Sequence, residues 1–398
     1  MADPQSSTFQ GDLQDQKVAG YQSVLGVTHT QIATLPGFCT QSGHQFDQVD
    51  VAYQTLGALS PARDNAILVC HGLSGTAHVA GTDPQTGRPG WWDYHVGPGK
   101  AIDTDKFFVI GTNTLGGCNG TTGPSSIDPR TGKPYGMSFP PITVRDMATA
   151  QAKLMDHLGI EKLFAVVGAS MGGMQALTWA TEMPERVRVC VPIATCTAHN
   201  AMQIAFNEIG RRAIITDPNW NSGNYSENSL PAHGLAVARM VGHVTYLSEV
   251  AMAKKFGRRR QPIAEDPDQF SVESYLHHQG EAFVKRFDPN SYLYLTRAID
   301  AFDLFQNAAP EEVLRRVHSR FLVVSFSSDW LYPPVQSREL VRLLKRSGIA
   351  ATYINLEADY GHDSFLIHNP PFANVLKHFL AGEYAPNHEP RLAHLAPA

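Results

Sequence analysis

Six short apolar runs, at residues 66–70, 107–111, 163–167, 187–193, 321–326 and 352–356, recur along the chain without the alternation of a half-solvated strand. Strands covered on both faces have this composition, and such strands belong to mostly parallel sheets flanked by helices. Helical spacing lies between them. In residues 143–158 the apolar Val144, Met147, Ala148, Leu154, Met155 and Leu158 share a face, Thr143 and Asp146 form a capping-box pattern, and Gly159 supplies a stop. Residues 335–345 and 371–380 repeat the arrangement after the last two runs. This βαβ rhythm predicts a right-handed, doubly wound α/β fold. The chain opens differently, since residues 31–35 and 48–55 read as an antiparallel start, the second alternating Val51, Tyr53 and Thr55 on one face.

From about residue 197 to 310 the rhythm breaks: no buried-strand pattern occurs, and helical stretches such as 231–250 take over. The expectation is a helical lid, 197–310, inserted into a core of residues 21–196 and 311–382, with 1–20 a disordered polar tail and 383–398 a C-terminal tail. Met202, Phe206, Trp220, Met240 and Met252 in the lid could line a tunnel for a flexible ligand, although such residues at helical spacing more commonly pack in a core.

Composition narrows the function classes. With 398 residues, 43% hydrophobic and 17% charged, disorder, collagen and coiled coil are excluded as the main architecture. No apolar run approaches the roughly 18 residues of a membrane span, and residues 1–16 lack the basic and apolar regions of a secretory signal, so a cytoplasmic, non-membrane protein is expected. A net charge of −5, with no basic stripe beyond Arg258, Arg259 and Arg260, offers nothing general to nucleic acid. Cys39, Cys70, Cys118, Cys190 and Cys196 contain no Cys-x-x-Cys pair, which points to buried thiols in a reducing compartment; Cys118, in a Gly-rich loop, is expected to be packed and neutral. His71 and His78 have no third ligand at a zinc-like spacing, so no metal is expected.

The chemistry is carried by Gly168-Ala169-Ser170-Met171-Gly172, which follows the run 163–167 and precedes the helix-competent stretch 175–180. A Gly-x-Ser-x-Gly between a buried strand and a helix is a nucleophile elbow: the turn is too tight for side chains at 168 and 172, and it projects the serine hydroxyl above the sheet in a strained conformation. A serine needs a histidine to take its proton and a carboxylate to hold that histidine's tautomer. In α/β-hydrolases the order is serine, acid, histidine. Asp329 follows the run 321–326 and His362 follows the run 352–356, so these are the expected acid and base. The oxyanion needs two backbone donors, Met171 after the nucleophile and Leu73 in the loop after residues 66–70.

Gly90-Trp91-Trp92-Asp93, Gly97-Pro98-Gly99-Lys100, the glycine-rich stretch 113–126, the elbow through Gln175, residues 202–208 and Gly361-His362-Asp363-Ser364-Phe365-Leu366 together resemble the homoserine O-acetyltransferase family, from about residue 25 to 380. The resemblance implies an α/β-hydrolase fold with a helical lid, commonly a homodimer. It implies transfer of the acetyl group of acetyl-CoA, a co-substrate, to the hydroxyl of L-homoserine in methionine biosynthesis, with no bound cofactor. Ser170 would attack the thioester and the acetyl-enzyme would be taken up by homoserine, a ping-pong scheme. The family pattern also implies that Arg239 grips the homoserine carboxylate with Tyr246 beside it, and that Asp363 meets the ammonium.

Other readings share the triad: a homoserine O-succinyltransferase, a serine O-acyltransferase or cephalosporin-type acetyltransferase, and an esterase or thioesterase with water as acceptor. Residues 120–123 look more like the acetyl type, while Gly72 and Ser74 stand where Ala and Thr are commoner in the family. Arg211, Arg212 and Arg258 to Arg260 are candidates for CoA phosphates, each more commonly a structural or solvated residue.

Overall fold

The computed structural model describes residues 21–384 apart from Glu227 and Glu265. The expected tail 1–20 and residues 385–398 of the C-terminal one lie outside the described residues. Twelve strands are present among them: β1 (Gln31–Cys39), β2 (Gln45–Leu56), β3 (Ala66–Cys70), β4 (Val96–Gly97), β5 (Ile102–Asp103), β6 (Phe108–Thr112), β7 (Ile127–Asp128), β8 (Lys133–Pro134), β9 (Leu163–Ala169), β10 (Val187–Ile193), β11 (Arg320–Phe326) and β12 (Ala351–Leu356). Eight of them form one sheet in the order β1-β2-β6-β3-β9-β10-β11-β12, antiparallel at the β1–β2 and β2–β6 contacts and parallel from β6 onward. All the apolar runs are strands, and the antiparallel start extends beyond residues 31–35 and 48–55.

Side-chain alternation sends each buried strand into two cores. Leu68, Cys70, Val166 and Cys190 face one, with Leu154 of α1 (Val144–His157) and Trp179 of α2 (Met171–Glu182). Ile67, Val69, Ala165, Val167, Val191 and Val324 face the other. The run 352–356 departs from the expected double coverage: β12 is half-exposed along its length. It is the last strand, hydrogen-bonded only to β11, so one edge and part of one face meet solvent.

The capping box of α1 forms as its sequence requires. Thr143 Oγ1 accepts from the Asp146 amide at 3.2 Å, and Asp146 Oδ2 accepts from the Thr143 amide at 2.7 Å. Between β10 and β11 lie α3 (Ala201–Thr216), α4 (Ala232–Tyr246), α5 (Glu249–Lys255), α6 (Ser271–Val284) and α7 (Pro289–Asp300). This segment leaves and returns at one point, where Ala198 bridges Asp303 and the Leu304 amide donates to the Thr197 carbonyl at 2.8 Å. After it come α8 (Pro310–Leu314), α9 (Pro334–Arg346) and α10 (Pro370–Tyr384). Residues 372, 376 and 380 of α10 close the second core.

The helical stretch 231–250 is two helices. Leu247 is extended, and the Ser248 hydroxyl accepts from the Ala251 amide at 3.0 Å, capping α5 where apolar spacing alone suggested continuity.

Candidate active site

Ser170 stands between the last residue of β9 and the first of α2 with φ 57° and ψ −124°, a conformation that costs a non-glycine residue energy. The surroundings hold it there. Its amide donates to the Ile193 carbonyl at 3.0 Å, and its carbonyl accepts from the Gly173 amide and from Thr195 Oγ1. A Cβ at position 168 would lie 2.1 Å from the Gly172 carbonyl oxygen, and one at 172 would lie 2.1 Å from that of Cys70. The glycines on either side of the serine are therefore the closest approach of strand, helix and neighbouring strand. Met171, as the first residue of α2, has no acceptor for its amide within the helix.

The loop after β3 is folded around His71. Burial lowers the pKa of this imidazole to about 4, so the ring is neutral. Its Nε2 accepts from the Thr114 amide at 3.1 Å, which places the proton on Nδ1, where it is donated to the Gly72 carbonyl at 2.6 Å. His71 is thus a brace for the loop carrying Leu73. His78 is also used internally, against Gln54 and the Gly81 carbonyl, and no group of three metal-ligating side chains occurs among the described residues.

Asp329 and His362 meet across two loops that follow neighbouring strands. His362 Nδ1 lies 2.8 Å from Asp329 Oδ2, and the other carboxylate oxygen accepts from the Tyr332 amide at 2.8 Å. Both side chains are buried. The turn before His362 has Gly361 at φ +75°, where a Cβ would fall 2.6 Å from the Ser248 nitrogen, so the break between α4 and α5 docks directly on the histidine loop. The imidazole lies against Tyr332, with ring centroids 4.9 Å apart and planes at 27°, and Tyr246 is at 6.1 Å.

One cavity is bordered by Ser170, His362, Leu73, Arg239, Tyr246 and Asp363 together. A second, sharing Leu73, Ser170 and Tyr246, is bordered also by Met171, His199, Gln203, Phe206 and Tyr332. Every expected site residue except Asp329, which stands behind His362, lines one of them. Arg239 is only 5% exposed although it sits on a helix. Its guanidinium lies 4.8 Å from the centre of the Phe283 ring and 5.7 Å from that of Tyr246, and Nη1 donates to Ser74 Oγ at 3.2 Å. Its Nε is buried without a hydrogen-bond partner among the described residues, a costly state for a charged donor. Asp363 is likewise buried, at 6% exposure.

Arg211 is buried and bonded to Asp300 at 2.6 Å and Glu208 at 3.0 Å, so it is a structural cation and not a CoA contact. Arg258 and Arg260 lie over the Phe270 ring, and Arg260 pairs with Asp268. Of the five lid residues considered for a tunnel, Phe206 lines a cavity, whereas Trp220 donates to Asn290 Oδ1 at 3.0 Å and Met202 is exposed. Burial pushes the Cys118 thiol up to about 12, which keeps it neutral. Sequence reasoning passed over Tyr332, His199 and Arg286. Arg286 donates to the Ser74 carbonyl at 3.1 Å and lies on Phe283, which is therefore in contact with two guanidiniums. None of the three carried a motif; Tyr332 follows Asp329 by one turn, which was the only signal available.

No helix among the described residues is long and apolar enough to cross a membrane. The family described as the alpha/beta hydrolase fold matches residues 65–369. A homoserine O-acetyltransferase from Gluconobacter oxydans is 52% identical over 369 residues, covering 89% of this chain and 93% of that one. Among solved structures, a homoserine O-acetyltransferase from Bacillus anthracis superposes with a TM-score of 0.83 at 30% identity, over 89% of this chain and 98% of the other. Esterase E22 superposes with a TM-score of 0.82 at 33% identity, over 89% of this chain and all of that one.

Proposed function

The chain belongs to the α/β-hydrolase fold family and, within it, to the homoserine O-acetyltransferases, and from that premise we propose that it moves an acetyl group from acetyl-CoA to the hydroxyl of L-homoserine through an acetyl-Ser170 intermediate. The observation that carries the choice of acceptor is the pair of buried opposite charges, Arg239 and Asp363, on the wall of the same cavity as Ser170 and His362. An esterase whose acceptor is water has no use for them. A free amino acid does, because its carboxylate satisfies the guanidinium, including the unpartnered Nε, and its ammonium pairs with the carboxylate.

The steps follow from the tautomer. Asp329 accepts the hydrogen bond of the His362 Nδ1–H, which keeps that proton on the ring and leaves Nε2 to take the Ser170 proton as Oγ bonds to the thioester carbon. The amides of Leu73 and Met171 hold the oxyanion. The carbon–sulfur bond breaks, the imidazolium returns its proton to the thiolate, and CoA leaves. The homoserine hydroxyl then gives its proton to Nε2 and attacks the acetyl carbon, and collapse restores the Ser170 hydroxyl. Transfer outruns hydrolysis because the bound hydroxyl has an effective concentration of roughly 10⁵ M or more when well oriented. Residues 197–310 act as the lid that excludes water. A cytoplasmic homodimer belongs to the same reading: Met202, Ile209, Val237 and Val244 stand exposed on α3 and α4, a surface a second copy would cover.

The test is release of CoA from acetyl-CoA and from succinyl-CoA, each with and without L-homoserine or L-serine, with the product identified by mass. Homoserine-dependent turnover of acetyl-CoA is expected. Preference for succinyl-CoA or serine would change donor or acceptor within the same mechanism, and CoA release indifferent to any amino acid would make the protein a thioesterase.

A further inference from the structure

The two cavities that meet at Ser170 differ in what their walls hold. His362, Arg239 and Asp363 border the first and not the second, Met171, Phe206, Ile299 and Leu331 border the second and not the first, and Leu73, Ser170 and Tyr246 border both. That division sorts the groups around the reacting carbon. With the carbonyl oxygen at the Leu73 and Met171 amides, the leaving sulfur and the attacking hydroxyl must both meet Nε2 of His362, because one takes a proton from it and the other gives one to it. Sulfur and hydroxyl therefore belong to the first cavity. The remaining substituent of the carbon, the acyl chain, points away from the imidazole and enters the second.

The second cavity is larger than an acetyl group uses. Measured out to its mouth it encloses about 500 Å³, whereas a methyl group fills roughly the 30 Å³ of one liquid water molecule. Phe206 of α3, Val241 of α4, Ile299 of α7 and Leu331 after β11 supply apolar wall. No lysine, arginine, aspartate or glutamate is among the described residues that border it. Its polar side chains are already engaged: Gln203 Nε2 donates to the Leu331 carbonyl at 2.8 Å, Asn207 Nδ2 donates to Asp300 at 2.7 Å, and His199 stands between Asp300 at 3.0 Å and the Tyr332 hydroxyl at 2.7 Å. Arg211, one turn beyond Asn207 on α3, is held by Asp300 and Glu208 and does not border the cavity. Added methylenes find apolar wall here. A terminal carboxylate would be buried with no cation to pair with, at a cost that the chain's apolar contacts do not return.

We propose that the second cavity is an acyl pocket for short, neutral, straight-chain acyl groups, acetyl through butyryl, and that it rejects dicarboxylic ones such as succinyl. This rests on the acyl-Ser170 reading and adds the donor class to it. The chemistry is the same for each donor: the Ser170 Oγ–acyl carbon bond forms, the carbon–sulfur bond breaks, and the serine proton passes through His362 to the departing thiolate. The chain stays in the second cavity while the acceptor uses the first.

Acylation is read as the pre-steady-state release of CoA from acetyl-, propionyl-, butyryl- and succinyl-CoA without acceptor, with the adduct confirmed by intact mass. The p-nitrophenyl esters of acetate, propionate and butyrate repeat the series with the CoA moiety removed. Propionyl and butyryl should acylate within about tenfold of acetyl, and succinyl about 100-fold or more below butyryl, the scale of an unpaired buried charge. A pocket fitted to a methyl group would instead lose about tenfold or more for each added methylene; that gradient, or succinyl matching butyryl, would overturn the inference. Val241→Phe, at a half-buried position of the wall, should lower the butyryl-to-acetyl ratio by about tenfold, and Phe206→Ala, which widens the same wall, should raise it. A ratio moved by neither variant places the chain elsewhere. Homoserine keeps the two readings apart. Homoserine-dependent acetyl transfer with a steep chain-length gradient refutes the pocket alone, whereas a shallow gradient with CoA release indifferent to homoserine sustains the pocket and removes the acceptor.

Discussion

The loops at the carboxyl ends of the parallel strands and the helices inserted after β10 meet at Ser170, and they position their side chains by different means. On the sheet side, Leu73 follows β3, Ser170 follows β9, Asp329 lies shortly after β11 and His362 after β12; ladder hydrogen bonds and glycine-tight contacts place each one. On the helical side, Arg239 comes from α4, His199 from the loop before α3 and Asp300 from the end of α7, and they are placed by side-chain contacts, with Phe283 beneath two guanidiniums and Asp300 gathering three donors. In the proposed mechanism the backbone-held side carries bond making and breaking, where errors of an ångström are costly. In the same proposal the side-chain-held side carries selection of the acceptor.

The largest expected effect tests the first half of that division. Ser170→Ala should lower kcat on the order of 10⁶-fold, as loss of a serine nucleophile does elsewhere, while the melting temperature does not fall; retained acetyl transfer would remove Ser170 from the chemistry. Arg239→Ala should raise KM for homoserine by about 100-fold, the scale of charge-assisted hydrogen bonds, with the CoA burst from acetyl-CoA within about twofold of wild type. If burst and KM suffer together, the helical side does more than select.

Stability separates the regions as well. Gly172→Ala places a methyl 2.1 Å from the Cys70 carbonyl oxygen and should lower the urea-unfolding free energy by about 2 kcal/mol through overpacking, although glycine-to-alanine in a helix normally stabilises by roughly 1 kcal/mol. Gly382→Ala in α10, with nothing within 4 Å, should show that normal gain. The smallest effect concerns pH. Burial holds His71 and His95 near pKa 4, whereas an unfolded histidine titrates near 6.5. Between those values the unfolded chain binds the extra proton, so stability falls as pH falls, by about 1.4 kcal/mol per histidine at pH 5.5. Melting curves from pH 7 to 4.5 should show this acid limb, and His95→Phe should flatten it.

How far the site was legible follows the same division. The Gly168–Gly172 spacing, the strands preceding Asp329 and His362, and the Thr143–Asp146 box are local patterns whose physics acts within a few residues, and each appears where its pattern lies. Reading failed where distant chain meets chain. Residues 231–250 look like one helix until Ser248 caps a second, and residues 352–356 look doubly covered until β12 turns out to be the edge. Recognition of Arg239 and Asp363 came from family resemblance, because an isolated arginine on a helix carries no sign of burial.

The sequence by itself determined the α/β class, the elbow and the loops after strands that carry Asp329 and His362, since backbone propensity, apolar periodicity and glycine spacing act over short separations. Only the tertiary structure decided that Arg239 is buried with an unpartnered Nε, that His71 braces a loop, and that Tyr332 lies against the His362 ring while its amide donates to Asp329. Those outcomes depend on which side chains, from residue 71 to residue 363, are brought out of water to the same place, and no local pattern encodes that.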